Sequence, residues 1–395
     1  MNCPHCQRAA GYHVDRPRTV VSLVGTLHYQ RACYYCRACG QGLAPFDQQA
    51  GISARQLTPA VERLATLAGA VAPSFERGAD LLQETAGLRL SESTIERTTE
   101  DVGGRIAGLL AGGTVFGPAV SWDWHADARG RRVAYFTIDA TGTRQQGPKG
   151  GKAEGRMAYV AGVYNPAPPD WLLPAGKGPP PLQARYLSGL YPLAEMGALL
   201  RRQAAQVGME QADLWIALTD GGGGLEAFAE KNFSRPDLVV ILDFYHAADY
   251  LKELARALYP KQEEQAKEQA EAWCRLLKAE GGAVTLAVLR EWDWPARPSA
   301  ALREQWQKVE GYFQNNLHRM AYPEYQAEGW QIGSGVVESA CKTVVGQRLK
   351  GAGMRWGEAG AHALCHVRAL YRSEKGQWES FWSGDLRKTK VYQLN

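Results

Sequence analysis

Several features are missing from this 395-residue sequence, and each absence narrows what it can be. No apolar run reaches the ~20 residues that cross a bilayer. The opening "MNCPHCQRAA" also lacks the apolar core of a signal peptide. A partner in the membrane is therefore not expected, and a cytoplasmic location is. Charge of one sign is not in large excess: the net value is +4, so any affinity for nucleic acid has to come from local patches. No internal repeat is present. Cysteine is sparse beyond residue 39, since five of the eight cysteines precede Gly40, which speaks against a disulfide framework and for a metal site. With 45% hydrophobic and 22% charged residues, what remains is an ordinary globular chain long enough for two or three domains.

Cys3-x-x-Cys6 and Cys36-x-x-Cys39 flank the strand-like run "RTVVSLVGTLHYQRACYY", which reads as a hairpin. Two such knuckles suit the four thiolates that Zn²⁺ prefers, and so small a unit would need the ion to fold. His5 and Cys33 are spare ligands, and Cys33/Cys36 is an alternative second pair. Four cysteines leave no open position, so this zinc is expected to be structural.

From Ile52 to Leu110 the pattern is helical. Thr58-Pro59 opens one helix, Ser74 to Thr85 forms a second that stops at Gly87, and "SESTIERTTEDV" starts a third, with Ser93 and Glu96 spaced as a capping box. Beyond the break "AGGTVFGP", three strands are expected in "RRVAYFTIDATGTR", "RMAYVAGVY" and "LQARYLSGL". A helix, the strand "LWIALTD", another helix and the strand "LVVILDFYH" follow. That order predicts a mixed sheet in an α/β protein. Residues 245–325 then read as almost wholly helical, and the strand pattern does not return.

Asp139, Asp220 and Asp243 each close an apolar strand. One acid in such a place is commonly a turn or cap. Three in one sheet suggest more, because ligands collect at strand ends of open α/β sheets. Two-metal phosphoryl transfer needs carboxylates held there, and Mg²⁺ or Mn²⁺ takes such hard oxygen ligands. The element order is that of an RNase H-like fold, in which the first and fourth strands and a later helix carry the acids. Asp139, Asp220 and Glu338 fall on those elements, with Asp243 as the rival for the second aspartate. Glu338 stands in "GWQIGSGVVESACKTVVGQRLKGAGMRW", where Lys342, one helical turn on, is a possible ion-pair partner.

With "TIDATGTR", "LTDGGGGL", "ILDFYHAADYL" and the stretch around Glu338 in view, the chain resembles bacterial insertion-sequence transposases of the ISKra type, DDE enzymes related to the Mutator-like group. The resemblance spans essentially the whole chain, and the last motif is its most specific part. It implies cleavage and transfer of DNA strands by Asp139, Asp220 and Glu338 with Mg²⁺ or Mn²⁺. It also implies a supporting Asp243-x-x-His246 pair and an assembly of at least two subunits on double-stranded element ends and target, associated with the nucleoid. The run Gly221 to Gly224 departs from relatives, which often carry a bulkier turn. The other function weighed is a transposase-derived, sequence-specific DNA-binding protein without strand transfer, and a third is a metal-dependent nuclease.

For DNA contacts, Arg144, Lys149, Lys152 and Arg156 lie beside the first strand, and Lys342, Arg348, Lys350 and Arg355 follow Glu338. Trp330 and Trp356 read as core residues, with stacking on unpaired bases as the alternative. The expected division is a zinc ribbon at 1–45, a helical, helix-turn-helix-like DNA-binding region at 46–115 and an RNase H-like core at 120–250. A helical insertion at 251–328, the end of the core with Glu338 at 329–375 and a C-terminal tail at 376–395 complete it.

Overall fold

In a computed structural model, residues 1–384 are described apart from 118, 174, 175 and 177. Strands β1 (Gly11–Ser22), β2 (Gly25–Cys36) and β3 (Gln41–Leu43) make an antiparallel sheet, followed by the short helix α1 (Pro45–Gln49). Helices α2 (Pro59–Val71), α3 (Phe75–Ala86) and α4 (Glu92–Ala111) come next. Pro59 sits in the first turn of α2, and Ser74 caps α3 by accepting from the Arg77 amide. The cap of α4 is Ser91, which accepts from the Thr94 amide, and not the expected Ser93. Ser93 is already within the helical turn and bonds the Ser91 hydroxyl at 3.1 Å.

The central sheet contains β4 (Val133–Thr143), β5 (Arg156–Asn165), β6 (Gln183–Gly189), β7 (Leu214–Thr219) and β8 (Leu238–Leu242). Helix α5 (Leu193–Gln206) precedes β7, and α6 (Leu225–Asn232) joins β7 to β8. The strand order is β6-β5-β4-β7-β8; the first three strands are antiparallel neighbours, and β7 and β8 run parallel to β4.

Helices α7 (Phe244–Leu258), α8 (Glu263–Arg290), α9 (Ala300–Asn316) and α10 (Tyr322–Ala327) follow. Helix α8 is broken at Gly281, whose φ of 79° no other residue type adopts readily. The chain continues through α11 (Gly335–Ala340), a π-helical turn at Cys341–Gly346, α12 (Gln347–Leu349), α13 (Glu358–Arg372) and α14 (Gln377–Ser383). Within the segment expected to be a tail, α14 buries Trp378 and Phe381 in the main core; residues 385–395 of that segment lie outside the described ones.

Strand alternation assigns the two faces of the sheet. Ala134, Phe136 and Ile138 of β4, with Trp215 and Ala217 of β7, face α4, α5, α6 and α13. Val133 and Tyr135, with Leu214, Ile216 and Leu218, face α7, α8 and α9. The expected insertion at 251–328 therefore covers one whole side of the sheet. Its expected start also falls inside α7, whose Leu251, Leu254 and Ala255 belong to that core.

Helices α4 and α13 cross closely. A Cβ on Gly103 would stand 2.3 Å from the Ala363 carbonyl oxygen, and backbone cannot yield as a side chain can. We expect Gly103→Val to cost about 3 kcal/mol through overpacking. Urea denaturation against Gly104→Ala checks this, since a Cβ at Gly104 meets nothing within 4 Å.

Candidate active site

Register brings the strand-end acids together. β4 and β7 pair as Thr137 with Leu218, and the Thr137 hydroxyl donates to the Leu218 carbonyl at 2.7 Å. β7 and β8 pair as Thr219 with Leu242. Carried one or two residues onward, the same registers set Asp139, Asp220 and Asp243 in a row across three adjacent strands. By strand parity Asp139 and Asp220 belong to the side covered by α7 to α9. His246, one turn into α7, reaches over that row: its Nδ1 lies 3.8 Å from Asp243 Oδ2 and its Nε2 lies 3.9 Å from Asp220 Oδ2.

Glu338 is delivered by a tether. The Phe244 amide donates to the Ile332 carbonyl at 2.9 Å, and the Ser334 hydroxyl donates to Asp243 Oδ2. Those contacts dock the start of α11 on the end of β8, with Glu338 one turn later. The helix then widens into the π turn from Cys341, so four residues no longer make one turn, and among the described residues no ion pair joins Glu338 to Lys342. Cys341 is buried and its thiol donates to Asp139 Oδ2 at 3.4 Å.

Within this crevice the ligand atoms of Asp243, His246 and Glu338 lie within 4.8 Å of one another. Asp139, Asp220 and Glu338 do not form so tight a group among the described residues. Asp243 is nevertheless committed: fully buried, it accepts from the Tyr245 amide at 2.8 Å through Oδ1 and from Ser334 through Oδ2. Asp220 accepts from the Gly222 amide at 2.8 Å through Oδ1 and turns Oδ2 toward His246, while Asp139 accepts from the Ala140 amide at 2.6 Å through Oδ1 and only from the Cys341 thiol through Oδ2.

Crowding is visible in the acidities. Burial, and then the charge of Asp220, push the Asp139 carboxyl above its ordinary range against the Ala140 amide and the Cys341 thiol. Burial followed by Asp243 raises Glu338. Burial also works against Asp243, but the His246 ring beside it and hydrogen bonds from Ser334 and the Tyr245 amide hold it low. His246 is raised to about 9, first by its pairing with Asp243 and then by the charges around it, while its own burial opposes. Among the described residues, His246 is the sole ion-pair partner of these four acids. A cluster of oxygen donors so poorly neutralised fits a hard divalent cation.

The basic residues divide. Arg144, Lys149, Lys152, Arg156, Lys342, Lys350 and Arg355 are exposed. Lys350 hydrogen-bonds the Thr141 hydroxyl on β4, close to Asp139, and Arg156 pairs with Glu358 at 3.5 Å. Arg348 is a correction to the expected DNA contacts. It is 1% exposed, donates through Nε to the Gly69 carbonyl at 3.0 Å and lies 4.4 and 5.0 Å from the rings of Phe75 and Trp356. Arg348→Ala is therefore expected to cost about 3 kcal/mol of stability and to leave the salt dependence of DNA binding unchanged. Thermal melts and anisotropy titrations read the two effects separately. Trp356 is buried, and Trp330 is occupied by Tyr325, Arg131 and Asp127, so both act as packing residues.

At the other end of the chain Cys3, Cys6, Cys36 and Cys39 cluster. Sulfur separations of 3.6 Å (Cys3 to Cys39) and 3.5 Å (Cys6 to Cys36) approach the about 3.8 Å edge of a tetrahedron with zinc–sulfur bonds of ~2.3 Å. The Cys39 amide draws the Cys36 thiol down to about 7, toward the thiolate a metal takes. Cys33 turns to the Arg31 carbonyl, and His5 is exposed. Among the described helices none is long and apolar enough to cross a membrane.

Sequence reading missed Ser334 and Cys341 as partners of the acidic row. Each lay within or beside a quoted motif, but nothing in spacing tells which hydroxyl or thiol meets a carboxylate far along the chain. No protein-family model matches the chain, and no curated protein sequence does.

Proposed function

We propose that the chain is a metal-dependent polynucleotidyl transferase of the DDE transposase kind, with a catalytic unit of RNase H-like topology. The observation that carries this is the acidic crevice itself: His246 lies between Asp220 and Asp243, Glu338 of α11 comes within 4.8 Å of Asp243 and His246, and the β4–β7 register sets Asp139 beside Asp220. The sheet order β6-β5-β4-β7-β8, three antiparallel strands followed by two parallel ones, supports the topology. In this reading Asp139, Asp220 and Glu338 hold Mg²⁺ or Mn²⁺. Bound there, the ions supply charge stabilisation to the attacking and leaving oxygens of an in-line displacement.

The chain's own groups do the rest. Asp243 and Ser334 fix the helix that carries Glu338, while His246 holds the orientation of Asp220 and Asp243. Lys350 and Lys342 offset backbone phosphates near the crevice. The outer face of α4 exposes Glu92 and Glu96 beside Arg97, and Asp101 is paired with Arg55, so that helix offers phosphates no cationic excess and the basic residues around β4 are the better contacts. The four-cysteine cluster takes a structural Zn²⁺.

The test is a nicking and joining assay with element-end DNA in Mg²⁺ or Mn²⁺. Nicking followed by joining of a precut 3′-OH end is expected. Nicking without joining would make the protein a nuclease, and binding without either would leave it a DNA-binding protein.

A further inference from the structure

The cleft beyond the acidic row has a chemistry of its own. A cavity of about 630 Å³ is lined by Arg144, Gln145, Lys152 and Arg355, with Gly142 and Gly155 in its walls. No carboxylate lines it, and neither Arg144 nor Lys152 has an ion-pair partner among the described residues. Two segments build it. The chain leaving β4 pairs with the one following α12: the Trp356 amide donates to the Arg144 carbonyl at 3.0 Å and the Gln146 amide to the Trp356 carbonyl at 2.8 Å. The first segment continues from Asp139 and the second from Glu338, so the chain that carries each of these acids runs on into a wall of the cleft. At ~3.3 Å per residue, Arg144, the first residue past β4, stands about 16 Å from Asp139 along the strand direction.

Gln145 is the second observation. It is 6% exposed, lines the cavity, and its Oε1 is buried without a hydrogen-bond partner. The direction of its amide is settled by its neighbour. The Thr143 hydroxyl gives its only hydrogen to the Arg156 carbonyl at 3.0 Å, so it can only accept from Gln145 Nε2 at 2.9 Å. Oε1 is therefore an acceptor with nothing to accept, which is costly in a buried place.

We propose that this cleft binds one unpaired nucleotide of the DNA strand that runs on from the scissile phosphate. The inference rests on the transferase reading and adds a subsite to it. Arg144, Lys152 and Arg355 take the phosphates, and Gln145 Oε1 accepts an N–H from the edge of the base as the exposed cationic side chains turn toward the backbone. Every base carries an N–H on its pairing edge, so the contact demands a base that is unpaired rather than a particular one. A recessed acceptor cannot reach into a duplex groove; the base has to come to it. The volume of about 630 Å³ is ample for one nucleotide.

The test uses the full chain in EDTA, with anisotropy titrations of three labelled 16-mers: a mixed-sequence single strand, the same sequence as a duplex, and a single strand of abasic units. Arg144→Ala/Lys152→Ala is expected to weaken single-strand binding at least tenfold, to weaken duplex binding less, and to lower the single-strand salt slope by about 1.4. Gln145→Leu is expected to reduce the preference for the normal over the abasic strand by about threefold to tenfold with an unchanged melting temperature. Equal losses on single strand and duplex, no loss at all, or full discrimination retained in Gln145→Leu would overturn the subsite. If wild type binds none of the three probes, the transferase reading falls with it. If wild type binds DNA and the double variant binds as well, only the subsite falls.

Discussion

Glu338→Gln is expected to bind element-end DNA as wild type does and to cut it at least on the order of 10³-fold more slowly in Mg²⁺. Replacing one carboxylate that holds a catalytic ion removes several kcal/mol of transition-state stabilisation, and each 1.36 kcal/mol is tenfold in rate. The fold should tolerate the change, because the exposed Glu338 side chain is tied to nothing by an ion pair; α11 is held instead by Ser334 on Asp243. Asp139→Asn is expected to behave likewise. Full cleavage by either variant sinks the catalytic assignment. The same assay decides between the two remaining aspartates. Asp220→Asn should match Glu338→Gln. Asp243→Asn should lose roughly tenfold, since asparagine keeps the cap on the Tyr245 amide through Oδ1 while its Nδ2 donates to the Ser334 hydroxyl where the carboxylate accepted from it. A reversed ranking would hand the second ligand position to Asp243, the partner of His246 and Glu338 in the tightest grouping of the crevice.

The second large effect concerns the amino-terminal sheet. Its own buried cluster is Cys3, Ala10, Cys36 and Leu43, far too little apolar surface to hold a hairpin of two twelve-residue strands. One zinc per chain is expected, and stripping it with a chelator, or making Cys36→Ser, should unfold the ribbon. Structural zinc sites of this kind contribute about 10–16 kcal/mol in isolation. The damage should spread to the start of α2, because the Val21 amide donates to the Gln56 carbonyl at 2.9 Å and the Thr58 amide to the Val21 carbonyl at 3.0 Å. Metal analysis with amide exchange over residues 1–60 reads both results. Less than one zinc per chain in the purified protein would end the zinc reading.

Apolar runs and breakers carried much of this architecture openly. "VAYFTID" and "LWIALTD" read as strands because they are short apolar runs, buried on both faces of the sheet and each closed by an acid. Cysteine spacing named the four clustered thiols correctly because two-residue gaps are a local geometric device. What stayed hidden was non-local. Register depends on pairing across 81 residues between β4 and β7 (Thr137 to Leu218) and 23 between β7 and β8 (Thr219 to Leu242), and no local pattern reports that Asp139, Asp220 and Asp243 share one level. Arg348 looked like one more cation behind Glu338; its burial beneath Phe75 and Trp356 is decided by helices on either side of the chain's midpoint. The same holds for α14, whose Trp378 and Phe381 pack into a core built mostly upstream.

The Asp243–Ser334 tether, backed by the Phe244–Ile332 backbone bond, also makes a closed loop of everything between. The chain leaves the sheet and returns to it at one point, so the helical segment can lengthen or shorten without moving Glu338. It cannot be removed. Val133, Tyr135, Ile216, Leu218 and Ile241 would be left facing water. Variation in that segment should therefore be wide in its outer helices and narrow in α7, which is at once the lid of the sheet and the support of His246.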